Sequence, residues 1–230
     1  MNRGELVTRA GRIMGMARSS TDNVEEVTYL QQLANEAVVD LLSRTKLHVR
    51  RTALELTGDV TDYDLSQAVL RLWSLSEDGV ELDEVPEGDL LSMAGSKVFQ
   101  FTGQNMFVIG WEPEDGDTID ALYTPRPTKM TVDAHDPATV TYGLVPEEHH
   151  GALVNWMCWK AGETTRDEGS GMGEKWRRLY EGEDGLERIG TNVGNIKWAI
   201  NRRGSTGLSP GRIRRMGERS NADLGASTWR

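Results

Sequence analysis

Apolar residues in the first 48 positions recur at the three- and four-residue spacing of amphipathic helices. This spacing predicts a short helix over residues 5–16 and a longer helix from Asp22 to about Thr45. Asp22 and Glu25 have the separation of a capping box, so we expect the longer helix to begin there. The predicted buried stripe of this helix consists of Val27, Leu30, Ala34, Ala37, Val38 and Leu41.

After residue 48 the hydrophobic period changes to alternation, which favours half-buried β-strands. Turn residues such as Gly, Asp and Pro separate the alternating segments, so four to six antiparallel strands are expected. The predicted strands are 49–56, 69–75 paired with 80–82, 97–101 paired with 106–111, and 118–124. A short helical segment is predicted over residues 86–93.

The segment over 117–162 joins the last strand to a further helix. Pro125 and Pro127 are expected to end the pairing of that strand, because proline has no amide hydrogen to donate. A polar linker over 129–143 then leads to Pro146, where the pattern predicts a helix start. The predicted inner face of the strand consists of Ile119, Ala121 and Tyr123. The predicted buried face of the helix consists of Leu153, Trp156, Met157 and Ala161.

Past this helix, the three glycines in 166–173 predict a mobile loop and 174–181 resumes a helical pattern. From residue 190 onward steady periodicity is lost, which is typical of a segment that gains order only on a partner. The sequence therefore predicts an α+β fold. Its parts are N-terminal bundle helices over 1–48, an inserted antiparallel β module over 49–125, a linker and C-terminal bundle helices over 126–190, and an extended basic C-terminal arm over 191–230.

The net charge of −10 is distributed unevenly along the chain. Residues 197–230 hold eight basic and two acidic residues, so this arm is +6 and the remaining residues are −16. A basic arm on an acidic body is suited to docking on an acidic partner, although a solvated tail without a partner has the same composition. The predicted docking residues combine apolar anchors with arginines: Trp198, Arg202, Arg203, Arg212, Ile213, Arg214, Arg215 and Trp229.

Candidate catalytic and metal-binding residues are few, and each has a simpler interpretation. Adjacent helical residues point about 100° apart, so His149 and His150 do not form a metal pair and are expected in a solvated first turn. Cys158 lies between apolar residues in the middle of a predicted helix, where a packed thiol is the ordinary case. We therefore predict no catalytic residue, no metal and no cofactor.

The sequence holds no apolar run of the roughly 20 residues that a membrane span requires, and residues 1–16 lack the apolar stretch of a secretory signal. Its single cysteine excludes an internal disulfide, which suits a protein made in a reducing cytoplasm. We expect a soluble, unprocessed chain that does not bind membranes.

Several short motifs occur in a particular order along residues 4–190. They are Asp62-Tyr63-Asp64-Leu65 before a strand, Tyr-x-Pro-Arg-Pro at Tyr123–Pro127, Asp136-Pro137 in the linker, Val-Pro-Glu-Glu-His opening the segment Val145–Val154, and Trp176–Tyr180 in the next helix. Together with a pair of N-terminal helices and a β-rich middle, this order resembles the head-to-tail adaptor (connector) proteins of tailed bacteriophages.

The resemblance implies a structural virion protein rather than an enzyme. It implies a dodecameric ring in the neck, below the portal, with a downstream neck or tail protein bound beneath it. DNA would pass through the channel without specific binding, and the C-terminal arm would reach onto the portal protein. The alternative is a nucleic-acid-binding protein that uses the basic arm, although an acidic body would repel a duplex and no helix-turn-helix pattern is present.

Overall fold

The computed structural model describes residues 1–16, 23–86, 88–103, 105–164, 172–182 and 192–206. In these residues the helices are α1 (Arg3–Met14), α2 (Val24–Arg44), α3 (His150–Thr164), α4 (Met172–Glu181) and α5 (Val193–Thr206). The strands are β1 (Arg50–Glu55), β2 (Asp62–Asp64), β3 (Val69–Glu77), β4 (Val80–Glu81), β5 (Asp83–Glu84), β6 (Val98–Gly103), β7 (Met106–Ile109) and β8 (Thr118–Pro125). Short 3₁₀ turns occupy Leu90–Met93, Val140–Tyr142 and Glu147–His149.

Asparagine side chains cap both N-terminal helices. At α1, Asn2 Oδ1 accepts from Glu5 N at 2.9 Å and the Glu5 carboxylate accepts from Asn2 N at 3.0 Å, which is a complete capping box. At α2, Asn23 Oδ1 accepts from Glu25 N and Glu26 N. The prediction that Asp22 caps α2 is wrong by one residue, because the side-chain oxygen of Asn23 accepts from the unpaired backbone amides of the first turn. Asp22 itself lies outside the described residues.

The strands form two four-stranded sheets, with orders β1-β8-β3-β4 and β2-β7-β6-β5. All neighbours are antiparallel except β5 and β6. The predicted hairpins over 69–82 and 97–111 are confirmed. The count of eight strands exceeds the four to six predicted, since β2 and β5 are too short to show alternation. The helical segment predicted over 86–93 is a single 3₁₀ turn.

Strand β8 lies inside its sheet, between β1 and β3. Its predicted inner face is confirmed, because Ile119, Ala121 and Tyr123 are all buried. The strand ends at Pro125, as predicted, with Pro125 itself still opposite Val69. Proline removes one amide donor only, and Arg126 N supplies the next bond to Ala68 O at 2.8 Å.

The buried apolar side chains separate into a helical core and a β core. The helical core takes side chains from all five helices, including Leu6, Leu30, Leu41, Leu153, Met157, Tyr180 and Ile196. The β core takes side chains from both sheets, including Leu75, Phe99, Phe107, Ile109, Ile119 and Tyr123. The predicted stripes of α2 and α3 therefore share one core, and the β section is an insertion in sequence between them. This is the α+β class expected from the pattern.

The polar linker after β8 is held against the first two helices by buried and partly buried hydrogen bonds. Arg3 Nη1 donates to Met130 O and Arg3 Nη2 to Asp133 Oδ1, both at 2.8 Å. Asn35 Oδ1 accepts a hydrogen bond from Met130 N at 2.7 Å, and Asn35 Nδ2 donates to Met130 O at 3.2 Å. Gly143 then crosses α2 at φ 131°, where an added Cβ would lie 2.8 Å from Val38 Cγ1. The linker is therefore part of the helical unit.

A buried charge in the helical core should unfold the protein. Leu41 is fully buried in α2, and placing an unpaired carboxylate there costs several kcal/mol out of a total of about 5–15. We expect Leu41→Asp to abolish the cooperative thermal transition seen by circular dichroism. The matched control is Val39→Asp on the exposed side of the same helix, which should melt close to the wild type. A Leu41→Asp protein that melts like the wild type would contradict the assigned core.

Candidate partner-docking site

The root of the predicted arm is a helix anchored in the core. Asn192 is buried and its Oδ1 accepts from Asn195 N at 2.8 Å, while Val193 and Ile196 enter the helical core. Gly182, at φ 79°, faces this turn, and a Cβ there would lie 2.6 Å from Asn192 Oδ1. The prediction of an extended arm from residue 191 is therefore wrong over Val193–Thr206. The apolar residues at 193 and 196 have helical spacing and pack, which offsets the cost of ordering them.

The predicted docking residues fall into three groups in the structure. Trp198 lies on α5 and is 61% exposed, despite being the largest type of apolar side chain. Arg202 and Arg203 lie on the last turns of the same helix. The others, Arg212, Ile213, Arg214, Arg215 and Trp229, lie outside the described residues. The anchored start of α5 thus positions one exposed tryptophan of the predicted set.

A groove that the sequence did not predict runs between α5, the end of α2 and strand β3. We call it the basic groove; it is lined by Arg44, Lys46, Arg71, Trp73, Lys197 and Ile200. Trp73 is its apolar floor and is fixed by the bond from its Nε1 to Thr124 Oγ1 at 2.7 Å. The Arg71 guanidinium carbon lies 4.3 Å from the Trp73 ring centroid and Lys46 Nζ lies 5.2 Å from it. Two cations therefore contact the electron-rich ring.

The cations of the basic groove differ in how far they are neutralised. Arg44 is held by Asp40 at 3.0 Å and by Glu181 at 3.1 Å. Arg71 Nη1 donates to the Ser43 carbonyl at 2.8 Å, which positions the guanidinium without neutralising it. Among the residues that the structure describes, Lys46, Arg71 and Lys197 form no ion pair. The groove therefore carries positive charge beside an aromatic surface, which suits a partner with carboxylates and an apolar side chain.

Sequence reasoning missed the basic groove because its residues come from three separate elements. From the sequence alone, Arg44 and Lys46 are cations at the end of a predicted helix, where they interact favourably with the helix dipole. Alternation in β3 does place Arg71 and Trp73 on one face, since the side-chain period of a strand is two. That alternation is the one feature of the sequence that indicates part of the groove. Only the tertiary fold shows that Arg71 and Trp73 lie beside the end of α2 and beside α5.

His150 is fully buried, so the prediction of a solvated first turn is wrong for this residue. Its Nε2 lies 3.0 Å from Val145 O, which requires Nε2 to donate. Its Nδ1 then accepts from the Met1 amine at 2.8 Å. Burial lowers the pKa of His150, and the nearby amine lowers it further. The imidazole is a neutral structural link between the start of α1 and the start of α3.

Cys158 is buried in the helical core, as predicted. Loss of solvation raises the pKa of its thiol to about 12. Across the described part of the chain, no group of three or more His, Cys, Asp or Glu side chains is placed to hold a metal ion. None of the helices described is long and apolar enough to cross a bilayer.

Comparison with known families identifies the class to which this architecture belongs. Residues 1–213 match the model of a family of phage head-to-tail adaptors. The family is described as SU10 adaptor protein, and because the match covers nearly all of the 230 residues, the chain belongs to this family. The resemblance predicted from the motif order is confirmed, and the family is one of structural virion proteins. No curated protein matches the chain.

Cys158 should be unreactive in the folded protein. At a mildly alkaline pH a thiol with a pKa of about 12 is almost wholly protonated, and this one is also inaccessible. A chromogenic disulfide reagent should release little colour from the native chain and one equivalent in denaturing urea. Rapid labelling of the native protein would show that the helical core opens readily at α3.

Protonation of His150 should destabilise the fold. Its pKa is lowered from the ordinary 6.5 in the folded state, so below pH 6.5 the unfolded chain binds more protons and acid favours unfolding. The free energy of unfolding should therefore decrease as pH falls from about 7 to about 5. His150→Gln should be less stable at neutral pH but should lose less stability over this interval than the wild type.

His48 provides an internal comparison for this pH effect, because burial and the charge of Arg50 also lower its pKa. His48→Gln alone should also reduce the slope of the free energy of unfolding against pH. The His48→Gln/His150→Gln double variant should have the smallest slope. Urea titrations at each pH measure these slopes. Equal slopes in the wild type and in the double variant would show that neither histidine is linked to folding.

Proposed function

We propose that this chain is a head-to-tail adaptor that forms a dodecameric ring in the neck of a tailed phage, between the portal and a downstream neck or tail protein. The observation that carries the proposal is the family match over residues 1–213. The ring would be assembled on the virion after synthesis in the host cytoplasm. The role is structural: the chain connects two larger assemblies and leaves a channel for DNA.

The anchored α5 supports docking of the C-terminal arm on the portal protein. Val193 and Ile196 fix the root of the arm, so the exposed Trp198 is presented at a defined place instead of on a free tail. Arg202 and Arg203 follow on the same helix. Aromatic and arginine side chains contribute much of the binding energy at protein interfaces, and the further anchors Ile213 and Trp229 would extend the contact.

Charge supports the passage of DNA without specific binding. The first 196 residues carry a net charge of −16, and a surface of that sign does not neutralise phosphates. DNA in a channel bordered by such subunits would meet few attractive contacts and could slide. The arm is the exception, and its +6 charge supports a second candidate, a protein that binds nucleic acid through the arm.

The experiment that separates these functions compares capture by portal rings with capture by duplex DNA at two salt concentrations. A chain ending at Thr206 keeps the buried part of α5 and should remain folded, yet it should lose most portal binding. Trp198→Ala and Ile213→Ala should each weaken capture about tenfold or more at both salt concentrations, because their contribution is apolar. Ile13→Ala, at an exposed isoleucine of α1, is the matched control and should bind normally.

The nucleic-acid alternative predicts a different pattern. Affinity for DNA would fall steeply and log-linearly with salt, and the single apolar substitutions would have little effect. Retained DNA binding by the full chain with no capture by portal rings would contradict the adaptor role of the arm.

A further inference from the structure

We infer that the basic groove receives the β3–β4 hairpin of a neighbouring copy of this chain. This inference rests on the proposed ring and specifies which two surfaces meet between adjacent subunits. We call residues 76–84 the acidic hairpin; they include the end of β3, its turn, β4 and β5.

The acidic hairpin has the composition of a ligand for the basic groove. Asp78, Glu81, Asp83 and Glu84 are all exposed, while Glu77 is buried and bonded to Lys97. Val80 is 67% exposed, the most exposed of the large apolar side chains in the described residues. An apolar side chain among carboxylates matches a groove in which Trp73 lies among cations.

The hairpin is also held in one conformation before any contact. Asp78 and Gly79 have φ values of 49° and 80°, as in the type I′ turns that connect two paired strands most tightly. Ser76 lies opposite Glu81 and Glu77 opposite Val80 in the ladder. A rigid hairpin loses little conformational freedom when it enters a groove, which favours binding.

The two surfaces lie at opposite ends of the same strand. Arg71 and Trp73 are near the start of β3, and the turn at Asp78 follows its end, about 20 Å away at ~3.3 Å per residue. The hairpin of one copy therefore cannot reach the groove of the same copy. In the proposed ring this contact is head to tail, because a repeated head-to-tail contact closes into a ring when the rotation per subunit permits, whereas a reciprocal two-fold contact would stop at a dimer.

The local charges favour an acidic protein segment over nucleic acid. Asp40 and Glu181 neutralise Arg44, so the groove offers a small positive patch instead of the extended row of cations that a phosphate backbone requires. Lys46, Arg71 and Lys197 have no ion pair within the described part of the chain, and they are fewer than the exposed carboxylates of the hairpin, so the hairpin alone can neutralise them. Every copy of the chain carries both surfaces in equal number.

Cysteine cross-linking tests this contact directly, because the native Cys158 is buried and does not compete. Proteins carrying the single substitutions Lys46→Cys and Glu81→Cys would be mixed and allowed to assemble together. The assembled protein would then be oxidised and examined on non-reducing gels. We expect dimers in the mixture and little dimer from either variant alone. The double variant Lys46→Cys/Glu81→Cys should give a ladder of multimers, as a head-to-tail contact requires. The inference would be overturned if cross-linked dimers formed in a sample of one single variant alone and the mixture of the two variants gave no additional dimer.

Charge exchange provides the second arm of the experiment. Lys46→Glu/Arg71→Glu and Glu81→Lys/Glu84→Lys should each abolish assembly, and the chain carrying all four changes should recover it. Asp78 is left unchanged because its positive φ is needed for the turn. The control pair Arg126→Glu/Lys129→Glu, at exposed cations outside the groove, should assemble normally.

The outcomes distinguish this inference from the function on which it rests. If the wild type forms rings while the groove variants also form rings, the inference is wrong and the adaptor function stands. If groove variants assemble but lose capture by portal rings or by DNA, the groove has another occupant and the inference is again wrong. If the wild type forms no ring either alone or with the portal, both the inference and the proposed ring are contradicted.

Discussion

The packing of α2 against α3 is the interaction on which the rest of the structure depends. These helices are separated by more than 100 residues, so their contact closes the whole β section as one long insertion. Closing such a loop costs conformational entropy. Burial of the apolar faces around Leu41 and Leu153 offsets this cost, and the apolar side chains of α1, α4 and α5 that enter the same core add to this stabilisation. The linker can approach α2 only because Gly143 has no side chain to collide with Val38.

The same arrangement positions the surfaces that we propose contact partners. The end of α2 meets the start of β3, where Arg71 donates to the Ser43 carbonyl, and α5 completes the basic groove from the other side. The helical core thus fixes Trp198 and the groove, while the β core supports the acidic hairpin at a distance. A structural protein that joins larger assemblies needs several rigid surfaces on one chain, and the two cores provide them.

Features with a regular period could be predicted from the sequence, whereas features made by single long-range contacts could not. The stripes of α2 and α3 and the inner face of β8 follow directly from periods of 3.6 and two. The burial of His150 could not be foreseen, because its partners are the Met1 amine and the Val145 carbonyl. The helix α5 was missed since its glycines and arginines mask the short apolar pattern that enters the core. The motif order was sufficient for the family because it records the arrangement of elements.

The central claim, that this chain forms a ring between portal and tail, is tested most directly by imaging the purified protein by negative-stain electron microscopy with and without its portal. The account predicts a coaxial ring of additional density beneath the portal, with an open channel and a subunit mass consistent with twelve copies. It would be contradicted by particles in which the portal is unchanged at excess adaptor while light scattering shows the chain remaining a monomer.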